Sequence, residues 1–215
     1  GHSSSFELFK ILFVNGEIAG FRGVIPGLYH IPNSKEICKG GTFSMWLVTP
    51  EYRGMGLGYK LMEAIEKECD ILMSVGSTLK TSGRIYAAND FTYLDRFHRW
   101  TVGFDPRYKE LLRDDVQKFP YKATVTFRDC EIDPDPDLFE RIWIDFASEK
   151  NLFSLCRTKE FWCWRYIDSP GYKYHYFLNG ANDLIVGRIE SQINPPNSDV
   201  SALKVFRFIE VICSG

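Results

Sequence analysis

No run of apolar residues in this 215-residue chain approaches the roughly 20 that a membrane-spanning helix requires. The sequence therefore offers no helical span. Its six cysteines, at 38, 69, 130, 156, 163 and 213, include no Cys-x-x-Cys pair, so the common zinc frameworks are absent and no metal is expected. Small buried hydrophobes are their expected role. Neither sign of charge is in excess: 26 Lys and Arg against 28 Asp and Glu leave a formal net charge of −2, which argues against a nucleic-acid surface. No export signal is legible. Gly1-His2-Ser3-Ser4-Ser5 reads as an appended tag, and reduced thiols in a cytoplasm are the expectation. What the chain has in abundance is aromatic residues: 15%, with 17 Phe, 11 Tyr and 5 Trp. A ring-rich core explains most of them, and a ring-lined acceptor pocket is the sharper alternative.

The most informative stretch is Met45-Trp-Leu-Val-Thr-Pro-Glu-Tyr-Arg53-Gly-Met-Gly56-Leu-Gly58-Tyr-Lys-Leu-Met62. A short apolar run stops at Pro50, passes Arg53 and glycines at 54, 56 and 58, and opens an amphipathic helix. Such glycines let the backbone turn tightly and bring its N–H groups close to a ligand. The helix adds unpaired N–H groups and the positive end of its dipole. The product is an anion cradle suited to a phosphate or diphosphate. A dinucleotide fingerprint needs an acidic residue about 20 positions on, and a nucleoside-triphosphate loop ends in Gly-Lys-Ser or Gly-Lys-Thr; this loop ends Gly58-Tyr59-Lys60. Leu57, Leu61, Met62, Ile65 and Cys69 share one helical face, and Ile71–Val75 reads as a buried strand of a parallel strand–helix–strand unit.

Val48-x-Pro50-x-x-Arg53-Gly-x-Gly56-x-Gly58 resembles the signature of the GNAT superfamily of acyl-CoA-dependent N-acyltransferases, (Gln/Arg)-x-x-Gly-x-(Gly/Ala) at a helix N-terminus. The resemblance implies an α/β fold with a mixed, splayed central sheet, and acetyl-CoA as cofactor. It also implies binding by Trp46, Leu47, Val48, Arg53, Gly54, Met55, Gly56, Leu57, Gly58 and Tyr59. The diphosphate would rest on the N–H groups of 53–58, and the pantetheine arm would pair like an extra strand along Trp46–Val48. The family's general acid is a Tyr in a Tyr-x-x-x-Gly-Phe pattern, and Tyr86 and Phe91 keep that spacing, with Asp90 where Gly is usual. Tyr86 is thus the expected catalytic acid toward the departing thiolate, a role a neutral phenol suits; packing of its helix on the sheet is the alternative. Ser77-Thr78 stands where many relatives have an Asn on the pantetheine arm. Glu51, Glu36 and His30 are all conceivable bases, and the sequence does not select one.

Asn15-Gly16 between apolar runs predicts a hairpin of Phe6–Val14 with Ile18–Ile25. The segment 105–121 is charged, ends at Pro120 and reads as a connector. It separates a GNAT-like acetyl-CoA-binding domain at 1–104 from a second, incomplete GNAT-like segment at 122–215. That segment is expected to run strand (122–130), helix (135–148, with Leu138, Ile142, Ile144, Phe146 and Ala147 as apolar members), a helix capped by Thr158, and three strands. Its Phe161-Trp-x-Trp-Arg-Tyr-x-x-x-Pro170 resembles bacterial GNAT-like proteins of polysaccharide biosynthesis. Two readings stand: a piece of a tandem protein, favoured, or one circularly reordered domain. Either way an unpaired half-sheet needs a large intramolecular or dimeric interface, which makes a homodimer an expectation. The implied activity is N-acetylation of a small-molecule primary amine, with an amino sugar favoured. The alternative is a non-catalytic acyl-CoA-binding module.

Overall fold

The computed structural model describes residues 9–34, 36–78, 80, 82–94, 130–180, 182–191 and 204–213. The fold is mixed α/β, and the chain divides into two compact units. The first comprises 1–95 with 147–156, the second 96–146 with 157–215. The expected connector at 105–121 and strand at 122–129 lie outside the described residues; residues 92–94 are irregular.

In the first unit, β1 (Phe9–Val14) and β2 (Glu17–His30) form the anticipated hairpin. Its turn is made by Asn15 (φ 52°) and Gly16 (φ 86°), the left-handed pair that a two-residue hairpin loop requires. Strand β2 runs further than the sequence suggested, through Pro26. Proline lacks an N–H for a ladder. The tolerance has a local cause: β1 pairs with β2 only up to Gly23, and β6 (Ser154–Leu155) takes over at Tyr29, so Pro26 falls in the gap between two partners. Next come β3 (Ile37–Val48), antiparallel to β2, then helix α1 (Leu57–Glu66) and β4 (Ile71–Ser74), parallel to β3. The sheet is therefore mixed, with order β1-β2-β3-β4 and β6 on the free stretch of β2.

Helix α1 buries Leu61, Met62 and Ile65, on the face read from its 3.6-residue period, and Met62 and Ile65 share a core with Val24, Phe43 and Tyr86. Burying side chains of this size contributes about 1.5–3 kcal/mol each. The short helix α2 (Gly83–Ala87) carries Tyr86 into the same core. Its end is closed by Phe91 N–H donating to the Tyr86 carbonyl at 3.2 Å, with Asp90 in the left-handed region at φ 59°. Aspartate thus adopts the conformation for which glycine is better suited. Asp90→Gly is expected to stabilise the first unit by about 0.5–1 kcal/mol, less than the full left-handed penalty because glycine also gains freedom in the unfolded chain. A denaturant titration checks it, and an unchanged or lowered midpoint contradicts it.

The second unit is built on a four-stranded antiparallel sheet ordered β5 (Glu131–Ile132), β7 (Tyr174–Asn179), β8 (Asp183–Ser191), β9 (Lys204–Ile212). Helix α3 (Pro136–Lys150) starts at Asp135, whose carboxylate accepts the Leu138 N–H at 3.0 Å. Its buried residues are Phe139, Ile142, Trp143 and Ala147. Ile144, expected on that face, is 51% exposed, because the true stripe repeats from Phe139 to Trp143 at four-residue spacing. Thr158 caps α4 (Lys159–Trp162) as anticipated, accepting the Phe161 N–H at 3.3 Å. A π turn over Cys163–Ile167 follows, which the sequence did not signal. Phe139, Trp162, Tyr166, Tyr174 and Tyr176 form the ring-rich core of this unit.

Candidate functional site

Strand β3 outruns its parallel neighbour. The β3–β4 ladder ends at Phe43 opposite Ser74, whereas β3 continues to Val48 with Trp46, Leu47 and Val48 paired to β2 alone. Among the described residues, one edge of β3 is thereby open beyond the point where the two strands part. The chain then makes a single helical turn over Pro50–Tyr52 and enters the glycine segment.

Gly54 and Gly56 have φ of 80° and 73°, and Gly56 is the N-cap of α1. A Cβ on either would meet nothing within 4 Å. Their glycine is needed for backbone conformation and not for room inside the protein. The Arg53 N–H is committed to the Pro50 carbonyl (3.2 Å), and those of Tyr59 and Lys60 to Gly56 (3.1 and 3.3 Å). The N–H groups of Gly54, Met55, Gly56, Leu57 and Gly58 find no backbone acceptor among the described residues. This run of donors at the start of α1 falls on the residues from which the sequence led to the expectation of an anion cradle, less Arg53. Met55 and Tyr59 expose their side chains (64% and 48%) at its rim.

Gly58 is glycine for the opposite reason. A Cβ there would lie 2.8 Å from Cζ2 of Trp46, so the helix start packs on the indole. Trp46, Leu47, Val48, Arg53, Ser82 and Ile85 line an open cavity of ≈ 250 Å³ beside the cradle. Arg53 Nε donates to the Val48 carbonyl at 3.0 Å, which folds the side chain back over the end of β3. Gly58→Ala is expected to cost about 1 kcal/mol net, since overpacking of about 1–3 kcal/mol outweighs a helix-propensity gain near 1 kcal/mol. Thermal unfolding measures it; an Ala variant as stable as the parent means that Trp46 yields freely.

Tyr86 lies in this region with its ring stacked on Phe43 (5.6 Å, 15°) and tilted against Trp46 (6.1 Å) and Phe91 (5.3 Å). It is 6% exposed. Its phenol oxygen accepts a hydrogen bond from Nη2 of Arg22, a residue the sequence reading did not select. Arg22 is the buried charge of this unit, 2% exposed, and among the described residues no carboxylate pairs with it. Its guanidinium lies over the rings of Phe43 (4.1 Å) and Trp46 (4.6 Å). Among the described residues, Nε of Arg22 and Nε1 of Trp46 are both buried without a partner. Desolvation pulls the guanidinium pKa down, and the neighbouring Tyr86 counters it. A signal did exist: Arg22 and Val24 are two apart on β2, so strand alternation puts a charge at a core-facing position.

Ser77, which stands where relatives have an Asn, has a defined setting. Its hydroxyl is joined to those of Ser74 (2.9 Å) and Ser82 (3.1 Å), a short hydroxyl chain reaching the cavity wall at Ser82. Of the three candidate bases, Glu36 and Glu51 are exposed and His30 Nδ1 is bonded to the Leu152 carbonyl (2.8 Å). A carbonyl can only accept, so that nitrogen carries the proton. Among the described residues no cluster of His, Cys, Asp and Glu is arranged to hold a metal, and no helix is long and apolar enough to cross a membrane.

Residues 2–78, which include the hairpin, the open edge of β3, the cradle and β4, match the acetyltransferase (GNAT) family. No curated protein matches the chain. Among solved structures it is similar to Saccharomyces cerevisiae N-myristoyltransferase with bound myristoyl-CoA, at 12% identity and a TM-score of 0.45. That similarity covers 92% of this chain, which spans 50% of the other's length.

Proposed function

We propose that the first unit binds acetyl-CoA and transfers its acetyl group to a primary amine by direct attack in a ternary complex. The observation that carries this reading is the continuity of an open strand edge with a free-donor cradle: β3 leaves β4 at Phe43 and leads within a few residues to the N–H groups of 54–58. An extended arm ending in a diphosphate needs those two features in that order. Gly54, Met55, Gly56, Leu57 and Gly58 would hold the diphosphate through N–H groups, with Arg53 adding charge and Tyr59 flanking the helix start. Trp46, Leu47 and Val48 would hold the arm, with Ser77 and Ser82 in reach of the same wall. When bound, the coenzyme supplies an activated thioester. The chain's own part is to fix that group, to stabilise the developing oxyanion with a β3 N–H, and to bring the acceptor amine within reach. Tyr86 is the general acid in this reading.

The aromatic-rich second unit and its sequence resemblance favour an amino sugar as acceptor, and a tandem organisation, a homodimer and a cytoplasmic setting belong to the same proposal. A second reading, acyl-CoA binding without turnover, is favoured by the burial of Tyr86 and the engagement of its hydroxyl by Arg22. Calorimetry with acetyl-CoA, followed by thiol detection of CoA release over glucosamine, spermidine and lysine, separates the two. Binding with amine-dependent release supports the transferase. Binding without it supports the module, and absence of binding removes both.

A further inference from the structure

We propose that Arg22 is a positioning residue for acyl transfer, holding the Tyr86 phenol oxygen so that its proton is turned toward the departing sulfur; this rests on the reading of the site above. A guanidinium buried this deeply, with no carboxylate beside it among the described residues, is costly to the fold. Its contacts with the Phe43 and Trp46 rings offset part of that cost. An apolar side chain at this core-facing strand position would fill the space with no such cost. What arginine adds is a donor and a fixed positive charge at one atom, the Tyr86 oxygen.

Arginine has no acceptor, so in this hydrogen bond the phenol oxygen must accept. The Tyr86 O–H proton is therefore directed away from Arg22. It donates to no described residue, and the ring beside it, Trp46, lines the cavity. In the transfer, the amine nitrogen forms a bond to the acetyl carbon and the C–S bond breaks with its electron pair going to sulfur. The phenol proton passes to that sulfur, giving the free thiol and a phenolate. The phenolate then regains the proton that the amine nitrogen sheds. The Arg22 charge sits beside the oxygen on which that negative charge forms, preorganised by its cage of rings.

The test measures acetyl-CoA binding by calorimetry and CoA release with glucosamine, spermidine and lysine as acceptor probes. It compares the parent chain with Arg22→Met, Arg22→Lys, Tyr86→Phe and the Arg22→Met/Tyr86→Phe pair. Arg22→Met is expected to lower kcat by about 10- to 100-fold with KM for acetyl-CoA within about twofold, because the donor acts on the transition state and not on coenzyme binding. Arg22→Lys keeps a donor and a charge and is expected to fall between Met and the parent. The double variant is expected to be no slower than Tyr86→Phe, since Arg22 works through that oxygen. Circular dichroism establishes that each variant is folded, and Arg22→Lys stands in if the Met variant is not. An Arg22→Met enzyme within twofold of the parent kcat, or a double variant with multiplied losses, overturns the inference while leaving the site intact. A parent chain that binds acetyl-CoA yet releases no CoA overturns it together with the acid role. No binding by the parent overturns the underlying reading itself.

Discussion

Gly56→Val is expected to weaken acetyl-CoA binding by at least about 100-fold, or about 2.7 kcal/mol, with a much smaller effect on the fold. Gly56 is at φ 73°, and a Cβ there meets nothing within 4 Å. A valine would fit the free protein sterically but not its backbone, since a branched side chain in the left-handed region costs roughly 1–2 kcal/mol. The chain can relieve that strain only by rotating the peptides on either side of residue 56. Those peptides carry N–H groups of the cradle, so the donors lose their common aim while the core on Leu61, Met62 and Ile65 is untouched. Gly58→Ala supplies the contrast, because its Cβ strikes Trp46 and loads the fold first. Calorimetry should therefore show the larger loss of binding in Gly56→Val, while thermal unfolding separates the two variants by no more than about 1 kcal/mol. A Gly56→Val chain that binds acetyl-CoA within tenfold of the parent removes the diphosphate from this turn.

The glycine turn and the helix that follows it were legible because everything that makes them lies within one short stretch of chain. Pro50, Arg53 and the three glycines are local instructions, and the helix after them carries a clean 3.6-residue stripe. The hairpin at Asn15-Gly16 was legible for the same reason. What was hidden depends on contacts across long separations. Arg22 meets Tyr86 across 64 positions, and no pattern in either neighbourhood announces the meeting. Strand β6 has two residues, too few for any alternation, and its partner Tyr29 lies far earlier in the chain. The open edge of β3 depends on β4 stopping at Ser74, a matter of where a parallel partner ends, and the family resemblance suggested it where periodicity did not. In α3 the apolar members read from the sequence include Ile144, which is exposed, and omit Phe139 and Trp143, which are buried.

Tyr86→Phe is expected to reduce turnover by about 10- to 100-fold, roughly 1.4–2.7 kcal/mol of barrier, and also to destabilise the first unit by about 1–3 kcal/mol. The second effect follows from Arg22. Among the described residues, the phenol oxygen accepts the one hydrogen bond of a guanidinium that is 2% exposed and whose Nε has no partner. Phenylalanine preserves the stacking on Phe43 but leaves the charge without an acceptor. Arg22→Met should have the reverse sign on stability, near zero or favourable, because it removes a desolvated charge and restores most of the volume. Adding Arg22→Met to Tyr86→Phe is then expected to recover the lost stability without recovering turnover. Denaturant midpoints and CoA release, measured on the same four proteins, read the two quantities separately. A purely structural pair would have stability and activity fall and return together. Divergence between them is the signature of a buried charge kept for the reaction at the neighbouring oxygen and not for the core that surrounds it.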